Sequence, residues 1–170
     1  MGLMDSTRVS AASLVLAPWV LVPLALVGCA KGKDEREFAA MQGRGEQVMG
    51  VNQYTSAHVF EDLPDGGRVV LDRADSADTA AITAIRAHMR DIATAFRSGD
   101  FTKPFQVHAQ TVPGTAVMSA RRDAIKYEVI DRPKGGEVRI RSSDPAAVAG
   151  IHEFLGFQRS AHHAAGHETH

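Results

Sequence analysis

Histidine is the residue type in this chain best suited to chemistry. There are eight, all beyond residue 57, and four of them crowd into residues 162–170. Neutral imidazole binds zinc, copper, nickel or iron, and thioether sulfur favours copper(I). His58, His88, His108 and His152 fall in four different segments, and Met118 adds a thioether. The four imidazoles are expected to converge at one edge of the folded domain and hold copper or zinc. The pattern contains no CxxC, HExxH or facial-triad spacing, so this expectation rests on residue type and placement. A separate signal lies in Ser160–His170. His163 and His167 are four apart and share a face if a helix continues that far, although Gly166 opposes it. Such a tail binds metal flexibly.

Other chemistries have thinner support. Asp100, His108 and Ser119 are the best fragment of a hydrolase-like site, but no Gly-x-Ser-x-Gly elbow or P-loop accompanies them. Gly43-Arg44-Gly45 lacks a preceding strand and a correctly placed third glycine, so it is no nucleotide loop. A net charge of −1 denies the chain the basic field of a non-specific nucleic-acid binder.

The elements that position these residues are periodic. One pattern occurs twice. In the first copy a strand ends at His58-Val59-Phe60, a turn is expected at Asp65-Gly66-Gly67, and Arg68–Leu71 is a strand. In the second, strand Ile125–Val129, a turn at Lys134-Gly135-Gly136 and strand Glu137–Ile140 follow the same order. His58 then corresponds to Tyr127 and Phe60 to Val129, which points His58 at the core. Asp78 and Asp144 cap the following helices, with Pro145 in a tolerated first-turn position. Ile82, Ile85, Met89, Ile92 and Phe96 form one stripe, and Val148, Ile151, Leu155 and Gln158 another. Arg86, Arg90 and Arg97 are expected to face away from the core.

The pattern predicts an α+β fold, a duplicated ββα–ββα unit with a four-stranded antiparallel sheet and two helices on one face. One copy cannot bury its sheet face alone, so the two must share a core. Residues 51–160 form this domain, with copies at 51–97 and 125–160. The connecting segment 98–124 has no steady period, and 161–170 is the histidine-rich tail.

The start of the chain carries an address. Residues 9–28 are uncharged and largely apolar, and a charged stretch begins soon after Cys29. This is the layout of a signal peptide, residues 1–28. Leu26-Val27-Gly28-Cys29 resembles the lipobox of bacterial lipoproteins. Cys29 is the only cysteine, so it forms no intramolecular disulfide, and lipid on it would hold the chain on a membrane. Residues 29–50 read as a charged tether.

Several marks resemble a family of small bacterial proteins of unknown role across roughly residues 52–163. They are the paired Gly-Gly hairpins, Ile85-Arg86-Ala87-His88-Met89, Gly99-Asp100-Phe101 with Pro104 and Val107-His108, Pro113-Gly114, Met118, and Ala149–Gln158. Members of that family often carry the label aspartate carbamoyltransferase. The resemblance supports the domain boundaries. It does not bring the activity, because the Ser-Thr-Arg-Thr phosphate loop of such an enzyme has no counterpart beyond Ser6-Thr7-Arg8, inside the signal peptide.

The expected protein is thus a lipid-anchored cell-envelope protein that binds copper or zinc through histidines, for binding, sensing or delivery. Two alternatives remain open: an envelope interaction module with a protein partner and structural histidines, and a small hydrolase-like enzyme.

Overall fold

The computed structural model describes residues 25–166, with side chains from residue 32 onward. Most of the signal peptide, His167 and His170 lie outside the described residues. Two hairpins build the sheet: β1 (Ser56–Leu63) with β2 (Gly66–Arg73), and β3 (Ile125–Arg132) with β4 (Gly135–Ser142). All neighbours are antiparallel and the order is β1-β2-β4-β3. The expected α+β architecture is therefore present.

The turns differ from the sequence reading. Leu63 pairs with Gly66 and Arg132 with Gly135. The loops are therefore Pro64-Asp65 and Pro133-Lys134, and the Gly-Gly pairs begin the second strands. Steric room explains them. A Cβ on Gly67 would stand 2.2 Å from Leu155 Cδ1, and one on Gly136 would stand 3.0 Å from Met89 Cγ. The second glycine of each pair lets a helix approach the sheet.

Residues of the two hairpins correspond at a spacing of 69, so Val69 matches Val138, and these two pair directly in the central β2–β4 ladder. A pseudo-twofold axis passes between them. Helix α2 (Thr79–Arg97) is capped by Asp78, which accepts from the Ala81 amide at 3.0 Å. Helix α5 (Pro145–His162) is capped by Asp144, which accepts from the Ala146 amide at 2.9 Å. Helix residues correspond at a spacing of 66, because the second strand–helix connection is three residues shorter (143–144 against 74–78). Helix α2 lies chiefly over β4 and β3, and α5 over β1 and β2. Each copy's helix thus covers the other copy's hairpin, which makes the two copies one core.

The first stripe is buried as expected: Ile82, Ile85, Met89, Ile92 and Phe96. In α5 the buried face is Ala147, Gly150, Ile151, Phe154, Leu155 and Gln158, and Val148 is only partly covered. The arginines of α2 lie off the buried stripe as expected, Arg90 and Arg97 exposed and Arg86 half-buried, but all three have partners on the sheet. Arg86 donates to the carbonyls of Gly135 (3.1 Å) and Arg132 (2.5 Å), Arg97 to the Tyr127 carbonyl (2.5 Å), and Arg90 Nη2 contacts both Asp131 oxygens at 2.7 Å. Their long side chains reach over the helix flank to tie α2 to the β3–β4 hairpin.

Two segments read as irregular are helical. The expected tether belongs to α1 (Ala25–Met49), which contains Cys29. Its inner face carries Phe38, Met41, Gln42, Gly45, Val48 and Met49. A glutamine and a glycine in that stripe conceal its period. The connecting segment forms α3 (Thr102–His108) and α4 (Thr115–Ala120). Helix α1 rests on α3, and Arg44 Nε donates to the Val107 carbonyl at 2.7 Å. Gly114 admits α4 to α5: its φ is +79°, and a Cβ there would meet the Gly150 carbonyl at 2.1 Å. Among the described residues no helix is long and apolar enough to cross a membrane.

Candidate metal centre

A cavity of about 80 Å³ lies between the helices and the β1–β2 side of the sheet, beneath α1 and α3. Four histidines from four elements line it: His58 from β1, His88 from α2, His108 from α3 and His162 from α5. The His58 and His162 rings stack with centroids 5.1 Å apart, and His108 meets His162 edge-on at the same distance. Two imidazoles bound to one metal, each with N–metal near 2 Å, have centroids about 5–6 Å apart. No three His, Cys, Asp or Glu side chains among the described residues already stand around one metal position. The His58 and His162 rings, stacked with their planes 24° apart, and any third imidazole would all have to turn to share one ion.

Burial keeps these rings neutral. Desolvation lowers His58 and His88 from 6.5 to about 4, and His162 to about 3. His108 is lowered by the same cause, although its bond to Gln158 opposes the shift. The neighbouring rings add to the effect: His88 acts on His58, while His58, His108 and His163 act on His162. Neutral imidazole is the state that binds metal, so no proton has to leave first. Two buried polar atoms on lining residues, Nδ1 of His162 and Oε1 of Gln53, have no hydrogen-bond partner. Such atoms are exceptional in folded proteins.

The pseudo-twofold shows what is special about this end of the fold. At the twofold-related position Phe96 of α2, whose ring also reaches the cavity wall, packs edge-on against Tyr127 of β3, with centroids 6.0 Å apart. Their equivalents in the other copy are His162 and His58. Ile92 is likewise matched by Gln158, which holds His108 Nε2 at 2.7 Å. Where one copy has an aromatic pair, the other has two histidines.

The expected ligand set is brought together only in part. His58, His88 and His108 converge, and His152 does not. His152 Nε2 lies 2.8 Å from the Gly66 carbonyl and 3.0 Å from the Leu63 carbonyl. It does for the first hairpin what its equivalent, Arg86, does for the second. Replacing His152 with alanine should cost roughly 1–2 kcal/mol of stability, because the bonds to those carbonyls are lost. His152→Arg should recover part of that loss, and urea unfolding of both variants measures it. Met118 is fully buried in the core on α4 and does not line the cavity.

His163 caps α5 with φ +50° and stacks on Phe38 at 4.5 Å, outside the cavity. The hydrolase fragment does not assemble. Asp100 accepts from the Thr102 amide, Ser119 Oγ donates to the Gly99 carbonyl, and His108 is held by Gln158.

The cavity also contains residues the sequence reading missed: His162, Gln53, Met49 and Met89. His162 was findable, because the stripe Ile151, Leu155, Gln158 continues to it at helical spacing. Comparison with known proteins finds no matching family model, no matching curated protein and no matching solved structure.

Proposed function

We propose that this is a lipid-anchored envelope protein that binds one transition-metal ion, copper or zinc, in the His58/His88/His108/His162 cavity. The observation that carries the reading is the convergence of four neutral imidazoles, from four separate elements, on one cavity with an unpartnered nitrogen. Binding, sensing or delivery all fit a site with no assembled catalytic relay beside it.

The test is metal retention. The mature chain, loaded with copper or zinc and dialysed, should keep close to one equivalent by mass spectrometry. His58→Ala with His162→Ala should lose it while the circular dichroism of the fold persists. Equal retention in that variant would remove the cavity as the site.

The membrane address rests on the lipobox and on the sole cysteine, near the start of α1. Cys29→Ser should move the protein from the membrane fraction to the soluble fraction. Membrane retention by that variant would mean an anchor other than lipid on Cys29.

A further inference from the structure

The cavity's lining carries information about the charge and softness of its ion. Among the described residues no carboxylate lines it. Its one cationic side chain, Lys103, is turned to Asp91 at 2.5 Å. The remaining donors are neutral: the four imidazoles, the amides of Gln53 and Gln158, and the thioethers of Met49 and Met89. Much of the wall is apolar, with Val48, Phe60, Leu71, Ile92, Phe96 and Phe154. The Met49 sulfur accepts a weak bond from Gln53 Nε2 at 3.7 Å, the same amide whose Oε1 is unpartnered.

From these features we infer that the site selects a soft monovalent cation, copper(I), using imidazole nitrogen together with the thioether of Met49 or Met89. This rests on the metal-binding reading above and narrows it. The cost of transferring an ion into an apolar cavity grows with the square of its charge, so an uncompensated divalent ion loses about fourfold more solvation than a monovalent one. Zinc(II) and copper(II) recover that loss with carboxylate, thiolate or hydroxide, and no acidic side chain lines this cavity. Thioether and neutral imidazole suit a d10 monovalent ion. Leucine has nearly the volume of methionine, so replacing either residue by leucine removes the thioether with little change in packing.

The probe is silver(I), a redox-inert stand-in for copper(I), compared with zinc(II). The protein is the mature chain with Cys29→Ser, His167→Ala and His170→Ala, which removes the thiol and the two tail imidazoles outside the described residues. Silver(I) should bind at one equivalent at least ~100-fold more tightly than zinc(II), and X-ray absorption should show a sulfur neighbour. Met49→Leu or Met89→Leu should remove that sulfur and weaken silver while leaving zinc unchanged. Zinc binding as tightly as silver, or silver bound with nitrogen neighbours alone, would overturn the selectivity inference and leave a metal site standing. Failure of this chain to bind either ion, with its fold intact, would overturn both.

Discussion

The double replacement His58→Tyr with His162→Phe should abolish metal retention without unfolding the protein. These are the residues that the other copy carries at the equivalent positions, Tyr127 and Phe96, where they pack at 6.0 Å as an aromatic pair. The exchange removes the unpartnered Nδ1 of His162 and adds apolar area, but it also brings in a tyrosine hydroxyl, which at the equivalent Tyr127 is itself buried without a partner. Stability at pH 7 should therefore stay within about 1 kcal/mol of the native value, while metal affinity should fall at least ~100-fold if these two rings are among the donors. His108 keeps its bond to Gln158 and acts as an internal control. Urea unfolding and a metal competition titration on the same preparation read both effects. A folded variant that still binds metal would show that the two rings are only a polar version of the aromatic pair.

The second large effect is acid sensitivity of the metal-free protein. His58, His88 and His162 bind protons at pH 6.5 when unfolded but only near pH 3–4 when folded. The unfolded chain therefore takes up more protons across that interval. Stability is full above pH 6.5, falls as pH drops toward 4, and levels off below the folded values. Each histidine contributes a slope of about 1.4 kcal/mol per pH unit while the two states differ by one proton.

The ionisable groups that face these rings are Lys103 and Asp91 at His88, Arg44 at His108, and His58, His108 and His163 at His162. Asp91 opposes the shift at His88 and Lys103 favours it. The salt-bridged and capping aspartates, such as Asp78 and Asp144, are lowered from 3.8, so their stabilisation is lost only as pH falls through 3.8 and below, at the acid end of the histidine window. Urea midpoints measured from pH 7.5 to 4.5 should fall steeply for the native chain and less steeply for the double replacement, which keeps His88 and His108. Equal slopes in the two proteins would mean that the rings titrate normally and are not desolvated.

The parts of this fold that were legible in the sequence are those where one periodic rule acts alone. The stripe from Ile82 to Phe96 and the caps Asp78 and Asp144 needed no tertiary information. The hairpins were legible too, although their glycines proved to be clearance for Leu155 and Met89, which only the packing reveals. Helix α1 was hidden because its buried face includes Gln42 and Gly45, and Gly45 is there to clear the Gln53 side chain. Helices α3 and α4 are too short to show a period and are held by their neighbours.

In the cavity, His58, His88 and His108 were legible as candidate donors, and these three converge. His152 was not separable from them, since a hydrogen bond to two hairpin carbonyls leaves no mark in spacing. Its place is taken by His162. The equivalence of His162 to Phe96 becomes visible only when the three-residue shortening before α5 is allowed for.

The central claim is that the cavity histidines are the metal donors. The most direct measurement is nitrogen NMR of the mature Cys29→Ser chain, labelled at its imidazoles, as copper(I) is added anaerobically. The account predicts neutral rings for His58, His88, His108 and His162 at pH 7, and large shifts in at least two of them, complete at one equivalent. His152 should not move. Shifts confined to His163, His167 and His170, or cavity rings that are already protonated at pH 7, would contradict it.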